Sequence, residues 1–192
     1  MNSISNRAVF EENRLLFASR FPELASLLGL DSSSDARALL ERIPADYQLV
    51  PTPSGIPTIA VSGLFLQSKY DPARDADRAF AAFESGDAAA GDGAVFEGIG
   101  LALVPERYAR THPGSTIIIL EPDIFLFLFC LAARPLDALF AHERLIFMIG
   151  SEAREVSALI EKLDFENLPA YENPAIMAAN KPWFAEYAAL RK

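Results

Sequence analysis

Two glycines and a glutamate carry the strongest chemical signal in this sequence. Gly98 and Gly100 follow an apolar run typical of a strand, and Glu121 ends the next such run, 21 residues beyond Gly100. Glycines at such a turn let backbone N–H groups approach a ligand, and the carboxylate can accept hydrogen bonds from a ribose. The pattern predicts a crevice for a nucleotide-type ligand. The alternative is a purely structural tight turn, because Ala102 and Leu103 stand where a further small residue is expected.

Three more polar residues extend this candidate site. Asp123 follows Glu121 and either contacts the ligand or caps a helix that begins at Ile124. Ser68 and Tyr70 lie at a predicted strand-to-helix junction, where they either present donors to an anion or form a capped turn. The predicted cofactor-binding residues are therefore Gly98, Gly100, Glu121, Asp123, Ser68 and Tyr70.

Other catalytic motifs are missing from the sequence. Cys130 is the only cysteine and lies in an apolar run, which favours a buried thiol over a nucleophile. His112 and His142 have no second ligand at metal spacing, and no serine lies in a G-x-S-x-G motif. We therefore predict no catalytic residue and no metal site. The ligand stays open between a nucleotide-sugar and a molecule like S-adenosylmethionine.

Alternating strands and helices must position the candidate site. Apolar periodicity predicts strands at 95–97, 116–120 and 145–149, separated by helical stretches near 103–111 and 124–141 and followed by a helix over 152–163. Such alternation predicts parallel pairing and right-handed crossovers. We therefore expect a layered, partly parallel, Rossmann-like α/β sheet whose strand ends converge on one crevice.

The chain before this sheet has different patterns. Apolar residues from Phe10 to Leu28 recur at helical intervals, which predicts one amphipathic helix within a helical arm over residues 1–45. Around Pro53-Ser54-Gly55 two short alternating runs predict an antiparallel hairpin that extends or flanks the main sheet. Residues 46–192 are thus predicted to form a Rossmann-like domain that includes this hairpin, in one compact unit with the arm. Residues 84–93 are predicted to be a flexible connection.

Composition narrows the classes of function. Apolar residues make up 51% and charged residues 22%, as in an ordinary globular protein with a sizeable core. The formal net charge of −9 disfavours nucleic acid and anionic lipid as partners. The longest apolar run is too short to span a bilayer, and the N-terminus lacks the pattern of a signal peptide. We therefore expect a cytoplasmic protein that does not bind membranes.

Four segments together resemble the N-terminal domain of the motility-associated factor (Maf) glycosyltransferases, a family linked to flagellin glycosylation. They are FEENRLLFASRFP; the hairpin PSGIPTIAVSG leading into FLQSKYDPARDADRA; GIGLAL; and the strand that ends in Glu121-Pro122-Asp123. The second is similar to the family's HS-x-YDP-x-x-E-A segment, and the third to its G-x-G-L-G-Y pattern. Gln67 replaces a usual histidine, Asp75 a usual glutamate, and Ala102 and Leu103 the later glycine and tyrosine.

The resemblance covers nearly the whole chain and implies an accessory role. In that family the sugar-transferring domain, which resembles sialyltransferases and MptE-like proteins, follows this region. We therefore expect an N-terminal domain standing alone, without the transfer reaction, that docks a glycosyltransferase domain or flagellin or binds a nucleotide-type ligand.

Two other functions stay open. The glycine turn with Glu121 is also the arrangement of S-adenosylmethionine-dependent methyltransferases, although no acceptor-site motif follows the later strands. Alternatively the crevice is vestigial and the chain is an assembly module, a homo-oligomer that uses Trp183, Phe184 and Tyr187 as its contact surface.

Overall fold

The computed structural model of the chain describes residues 7–31, 33–86 and 92–191, and it begins with three helices. These are α1 (Arg7–Arg20), α2 (Pro22–Leu28) and α3 (Ala36–Glu41). The prediction of a single helix from Phe10 to Leu28 is wrong, because Pro22 has no N–H to donate and starts a new helix at its first position. Gly29 ends α2 in the left-handed conformation, with φ 68°.

Three short antiparallel strands follow, in the order β1-β2-β3. They are β1 (Tyr47–Val50), β2 (Thr58–Val61) and β3 (Leu64–Phe65). The predicted hairpin is confirmed, and it belongs to a sheet of its own that flanks the main one. Helix α4 (Pro72–Glu84) starts at Asp71, whose side chain accepts a hydrogen bond from the N–H of Arg74 at 3.0 Å. Half of the predicted flexible connection, residues 87–91, lies outside the described residues. At its two ends Glu84 still belongs to α4, and Gly93 already belongs to the next strand.

The second half of the chain alternates strands and helices. In order it contains β4 (Gly93–Glu97), α5 (Leu103–Thr111), β5 (Thr116–Glu121), α6 (Ile124–Ala133), α7 (Asp137–Phe140), β6 (Leu145–Ile149), α8 (Ala153–Lys162), β7 (Ala170–Glu172), α9 (Pro174–Ala179) and α10 (Lys181–Leu190). The four strands pair in parallel in the order β6-β5-β4-β7. The protein is therefore a mixed α/β protein with one parallel and one antiparallel sheet.

Helices cover both faces of the parallel sheet. Phe96, Ile117 and Ile119 face a core shared with α1, α5 and α6, while Val95 and Ile118 face α8 and α10. Helix α1 belongs to the first of these layers, where the side chains of Phe10 and Phe17 are fully buried. The N-terminal helical segment is therefore packed into the main core. None of the helices in the described ranges is long and apolar enough to cross a membrane.

Candidate functional site

The carboxyl end of the parallel sheet contains the predicted site. From β4 the chain adds β5 and then β6 on one side, and then returns to add β7 on the other side of β4. Ligands of open α/β sheets bind at such reversals of strand order, outside the carboxyl ends of the strands. Three of the four strands end in a glutamate here, namely Glu97, Glu121 and Glu172.

The glycine turn and Glu121 are in direct contact with each other. The N–H of Ile99 donates to Oε2 of Glu121 at 3.0 Å, and the N–H of Asp123 donates to Oε1 at 3.0 Å. Gly98 and Gly100 have φ values of 95° and 49°, which explains glycine at both positions. Both carboxylate oxygens therefore bind backbone groups of their own protein and hold the turn in place.

Burial dominates the electrostatics of Glu121. The side chain is fully buried, and desolvation raises its pKa to about 8. The hydrogen bonds from Ile99 and Asp123 act in the opposite direction and lower the pKa, while the charge of Asp123 raises it. No face of this carboxylate is exposed to solvent where a ribose hydroxyl would approach.

Side chains of the same protein fill the space above the glycine turn. A Cβ added to Gly98 would lie 2.3 Å from Cγ2 of Ile176, and one added to Gly100 would lie 2.3 Å from Nε2 of Gln67. The cavity left beside the turn has a volume of about 40 Å³. That is room for a few water molecules, since one water needs roughly 10–15 Å³, whereas small-molecule sites span roughly 300–1,000 Å³.

Asp123 caps a helix, which is the structural alternative considered for it. Its Oδ1 accepts a hydrogen bond from the N–H of Phe125 at 2.8 Å, at the start of α6. The hydroxyl of Tyr47 donates to Oδ2, and burial followed by this contact raises the pKa of Tyr47. Asp123 thereby joins β1 of the small sheet to the first turn of α6.

Ser68 and Tyr70 lie apart from the glycine turn. Oγ of Ser68 accepts hydrogen bonds from the N–H groups of Tyr70 and Asp71, both at 3.2 Å, which is the capped turn considered as an alternative. Tyr70 is 65% exposed. Neither residue lines the cavity beside the glycine turn, whereas their neighbour Gln67 does.

Sequence reasoning missed the residues that close the crevice. Asn173 caps α9 by accepting hydrogen bonds from the N–H groups of Ala175 and Ile176, and so places Ile176 over Gly98. The Asn-Pro pair at 173–174 is a helix-start signal that could have predicted this cap. Nothing in the local sequence indicates that the helix lies above Gly98, because that contact joins segments nearly 80 residues apart.

Cysteine and metal chemistry find no support in the described part of the chain. Cys130 is fully buried, and desolvation raises the pKa of its thiol to about 12. Within residues 7–31, 33–86 and 92–191, no group of three or more His, Cys, Asp or Glu side chains is placed to hold a metal ion.

Comparison with known proteins gives one informative match. The chain is 39% identical over 178 residues to an uncharacterized protein of Treponema pallidum (strain Nichols), an alignment that covers 93% of this chain. The chain spans 60% of the length of that relative. No protein-family model matches the chain, and no solved structure matches it significantly.

Proposed function

We propose that this chain is a non-catalytic, Rossmann-like module of a Maf-type flagellin glycosyltransferase-like protein, and that it acts by docking a partner. The resemblance of four segments to the Maf N-terminal domain supports the family. The parallel strands in the order β6-β5-β4-β7 support the Rossmann-like description. The relative from Treponema pallidum is longer than this chain, which fits a module that works beside further protein.

The closed glycine turn is the observation that favours docking over nucleotide binding. Ile176 and Gln67 occupy the positions that a pyrophosphate or an amino-acid group would take above Gly98 and Gly100. Glu121, the residue expected to bind a ribose, already accepts two backbone hydrogen bonds and has no exposed surface. A ligand at this turn would have to displace buried side chains before making its first contact.

The free edge of β6 is the surface we propose for docking. Among the described strands β6 pairs only with β5, so its other edge presents unpaired backbone groups. An apolar groove of about 440 Å³ runs between this edge and the start of α2, lined among others by Phe21, Leu24 and Phe147. Leu27, one helical turn beyond Leu24, is 81% exposed, more than any other large apolar side chain in the described part of the chain.

A direct test measures association with the two expected partners. The chain is titrated by calorimetry with the glycosyltransferase domain of a Maf-type protein and, separately, with flagellin, both from the organism of origin. We expect one of them to bind with a micromolar or lower Kd. Leu27→Asp, at an exposed site that folding does not need, should weaken that binding at least tenfold. Leu159→Asp on α8 serves as the matched control and should leave the binding unchanged, because Leu159 is also partly exposed but lies on the opposite face of the sheet.

Absence of binding to both proteins would contradict the docking proposal.

A second titration addresses the methyltransferase alternative. S-adenosylmethionine and a UDP-sugar are each added to the chain up to millimolar concentration, and we expect no binding heat from either. Saturable binding of S-adenosylmethionine that Glu121→Ala weakens by more than tenfold would replace the docking proposal with the methyltransferase one, because a lost charge-assisted hydrogen bond costs about 1.5–3 kcal/mol. Glu155→Ala, an exposed carboxylate on α8, is the control.

A further inference from the structure

A second cavity lies on the other face of the sheet, at the carboxyl ends of β4 and β7. Its volume is about 490 Å³, within the range of small-molecule sites. Alternation along β4 places Glu97 on the same face as Val95, away from the glycine turn. This cavity is therefore separate from the closed crevice at Gly98, and α8 and α10 form its walls.

Carboxylates surround this cavity. Glu97 and Glu172 are register partners on neighbouring parallel strands, which lie about 4.8 Å apart, so their side chains leave the sheet side by side. Glu161 and Glu166 line the same cavity from its exposed rim. Arg191 is the one cation among the lining residues that the structure describes, which leaves a formal excess of three negative charges.

Two buried polar groups in the cavity lack the hydrogen bonds that burial demands. The Glu97 side chain is 7% exposed, and its nearest partner in the described chain is Nη1 of Arg191, 3.6 Å from Oε1, too far for a hydrogen bond. Tyr187 is 1% exposed, and its hydroxyl makes no hydrogen bond of normal geometry with a described residue. Burial raises the pKa of this hydroxyl, and the neighbouring Arg191 acts in the opposite direction. A buried hydroxyl without a hydrogen bond and a buried carboxylate whose recorded partner is one long ion pair are costly, so both groups favour a ligand that brings N–H donors.

The position of Arg191 explains why it does not satisfy Glu97. Its Nη2 donates a hydrogen bond to the carbonyl of Glu166 at 2.8 Å, and its guanidinium lies over the ring of Tyr187, 5.5 Å from the centroid. These contacts hold the arginine at the rim. The carboxylate of Glu97 on the floor of the cavity is therefore left without a hydrogen bond from the described residues.

The remaining lining residues favour an organic cation over a metal ion. Ile160, Met177 and Leu190 add apolar surface between the carboxylates, which suits methylene groups. A metal ion fits less well, since the described residues contain no group placed to hold one. We propose that this cavity binds an aliphatic polyamine, with one ammonium group donating to Glu97, Glu172 and the Tyr187 hydroxyl, and a second meeting the rim carboxylates.

Calorimetric titration of the whole chain with spermidine tests this proposal. We expect saturable one-site binding that is absent with 1,4-butanediol, a neutral chain of similar shape, and that is not displaced by millimolar Mg²⁺. Glu97→Gln should weaken spermidine binding at least tenfold and Tyr187→Phe about fivefold. Glu186→Gln removes a carboxylate that pairs with Arg154 on the exposed side of α10, and it should change the affinity less than twofold.

A gain-of-affinity variant separates the site from general charge attraction. Arg191→Gln removes a positive charge that lies 3.6 Å from Glu97 and repels an incoming ammonium group, so the variant should bind spermidine several-fold more tightly than the unmodified chain does. Thermal melting of each variant verifies that it is folded. The proposal is overturned if spermidine does not bind, if Glu97→Gln and Glu186→Gln weaken spermidine binding equally, or if Mg²⁺ displaces the bound spermidine. Because this cavity is distinct from the β6 edge, either result leaves the docking proposal to its own test.

Discussion

Two buried glutamates at neighbouring strand ends, Glu97 and Glu121, differ in what surrounds their carboxylates. Glu121 accepts two backbone hydrogen bonds and stabilises a turn. Among the described residues, Glu97 meets Arg191 in a long ion pair at 3.6 Å and has an acidic neighbour in Glu172. A carboxylate with two internal donors is suited to a structural role, whereas one without donors is suited to meeting a ligand.

The pKa of Glu97 predicts a pH-dependent stability. Desolvation and then Glu172 raise its pKa to about 7, while Arg191 lowers it. Tyr187, Glu161 and Glu166 are the other titratable groups that line the cavity.

In the unfolded chain a glutamate titrates near its ordinary pKa of about 4.3. The folded state therefore keeps this proton to higher pH, and the contribution of Glu97 to stability declines as the pH rises from about 4.5 through 7. The Glu97→Gln variant carries no such titrating group. Its free energy of unfolding minus that of the unmodified chain should therefore increase by about 2 kcal/mol from pH 5 to pH 8. This magnitude uses about 1.4 kcal/mol per pKa unit, reduced because solvent reaches the rim of the cavity.

Urea unfolding of both proteins at pH 5, 6, 7 and 8 measures this difference, with Glu186→Gln as the exposed control. A difference between the unmodified chain and Glu97→Gln that stays constant across this range would contradict the assigned pKa.

At the scale of elements, the contact between the β4 turn and α9 closes the crevice. Gly98 has a φ of 95°, and a Cβ there would meet Cγ2 of Ile176 at 2.3 Å. Gly98→Ala should therefore destabilise the protein by about 3 kcal/mol, from a strained backbone and from overpacking. Ile176→Ala alone should cost about 2–4 kcal/mol, since the side chain is 1% exposed.

A double-mutant cycle separates these two effects. In Gly98→Ala with Ile176→Ala the closest overlap, with Cγ2 at 2.3 Å, is removed and only the Cβ of position 176 stays near, at 3.0 Å. The combined loss should therefore be at least 1 kcal/mol smaller than the sum of the single losses. Gly114→Ala, where an added Cβ meets nothing within 4 Å, is the control and should pair additively with Ile176→Ala. Additive losses for Gly98 and Ile176 would show that α9 does not press on the turn.

At the scale of the whole molecule, the buried side chain of Asn13 adds hydrogen bonds to the apolar packing that joins α1 to the sheet domain. Nδ2 of Asn13 donates to the carbonyls of Leu131 and Arg134, both at 2.7 Å, and its Oδ1 accepts from the N–H of Leu136 at 2.9 Å. Asn13→Ala leaves these backbone groups without partners. We expect it to lower the free energy of unfolding by about 3 kcal/mol or more.

The same variant tests whether the N-terminal helices and the sheet unfold together. Far-UV circular dichroism and the fluorescence of Trp183, which lies in α10, should shift to the same lower urea concentration, because α1 shares the main core. Ser19→Ala, at an exposed position of α1, should shift neither signal. If the urea concentration of the fluorescence transition is unchanged while that of the dichroism transition falls, residues 1–45 unfold as a separate unit.

Local patterns predicted most of the elements of this fold. The strand at 145–149 and the helix over 103–111 match β6 and α5, and the Asp-Pro pair at 71–72 begins α4 as expected. These predictions are confirmed because apolar periodicity and helix caps depend on residues that are only a few positions apart in the sequence. The break at Pro22 also had a local signal, which the apolar periodicity obscured.

The candidate site was only partly predictable. The placement of the glycine turn and Glu121 at neighbouring strand ends follows from the spacing of one strand-helix-strand unit. Closure of that turn by Ile176 does not, because β7 and α9 return to β4 from far along the chain. The pairing of Glu97 with Glu172 depends on the same return.

The sequence by itself determined the alternation of strands and helices, the glycines with positive φ and the capping role open to Asp123, since each depends on short-range sterics and hydrogen bonds. Tertiary structure alone decided which carboxylate is satisfied and which faces a cavity. That outcome depends on strand order and register: β7 beside β4 brings Ile176 over the glycine turn on one face and Glu172 beside Glu97 on the other. The burial of a carboxylate and the number of its hydrogen-bond partners determine whether it serves the structure or can bind a ligand. Both are properties of that packing.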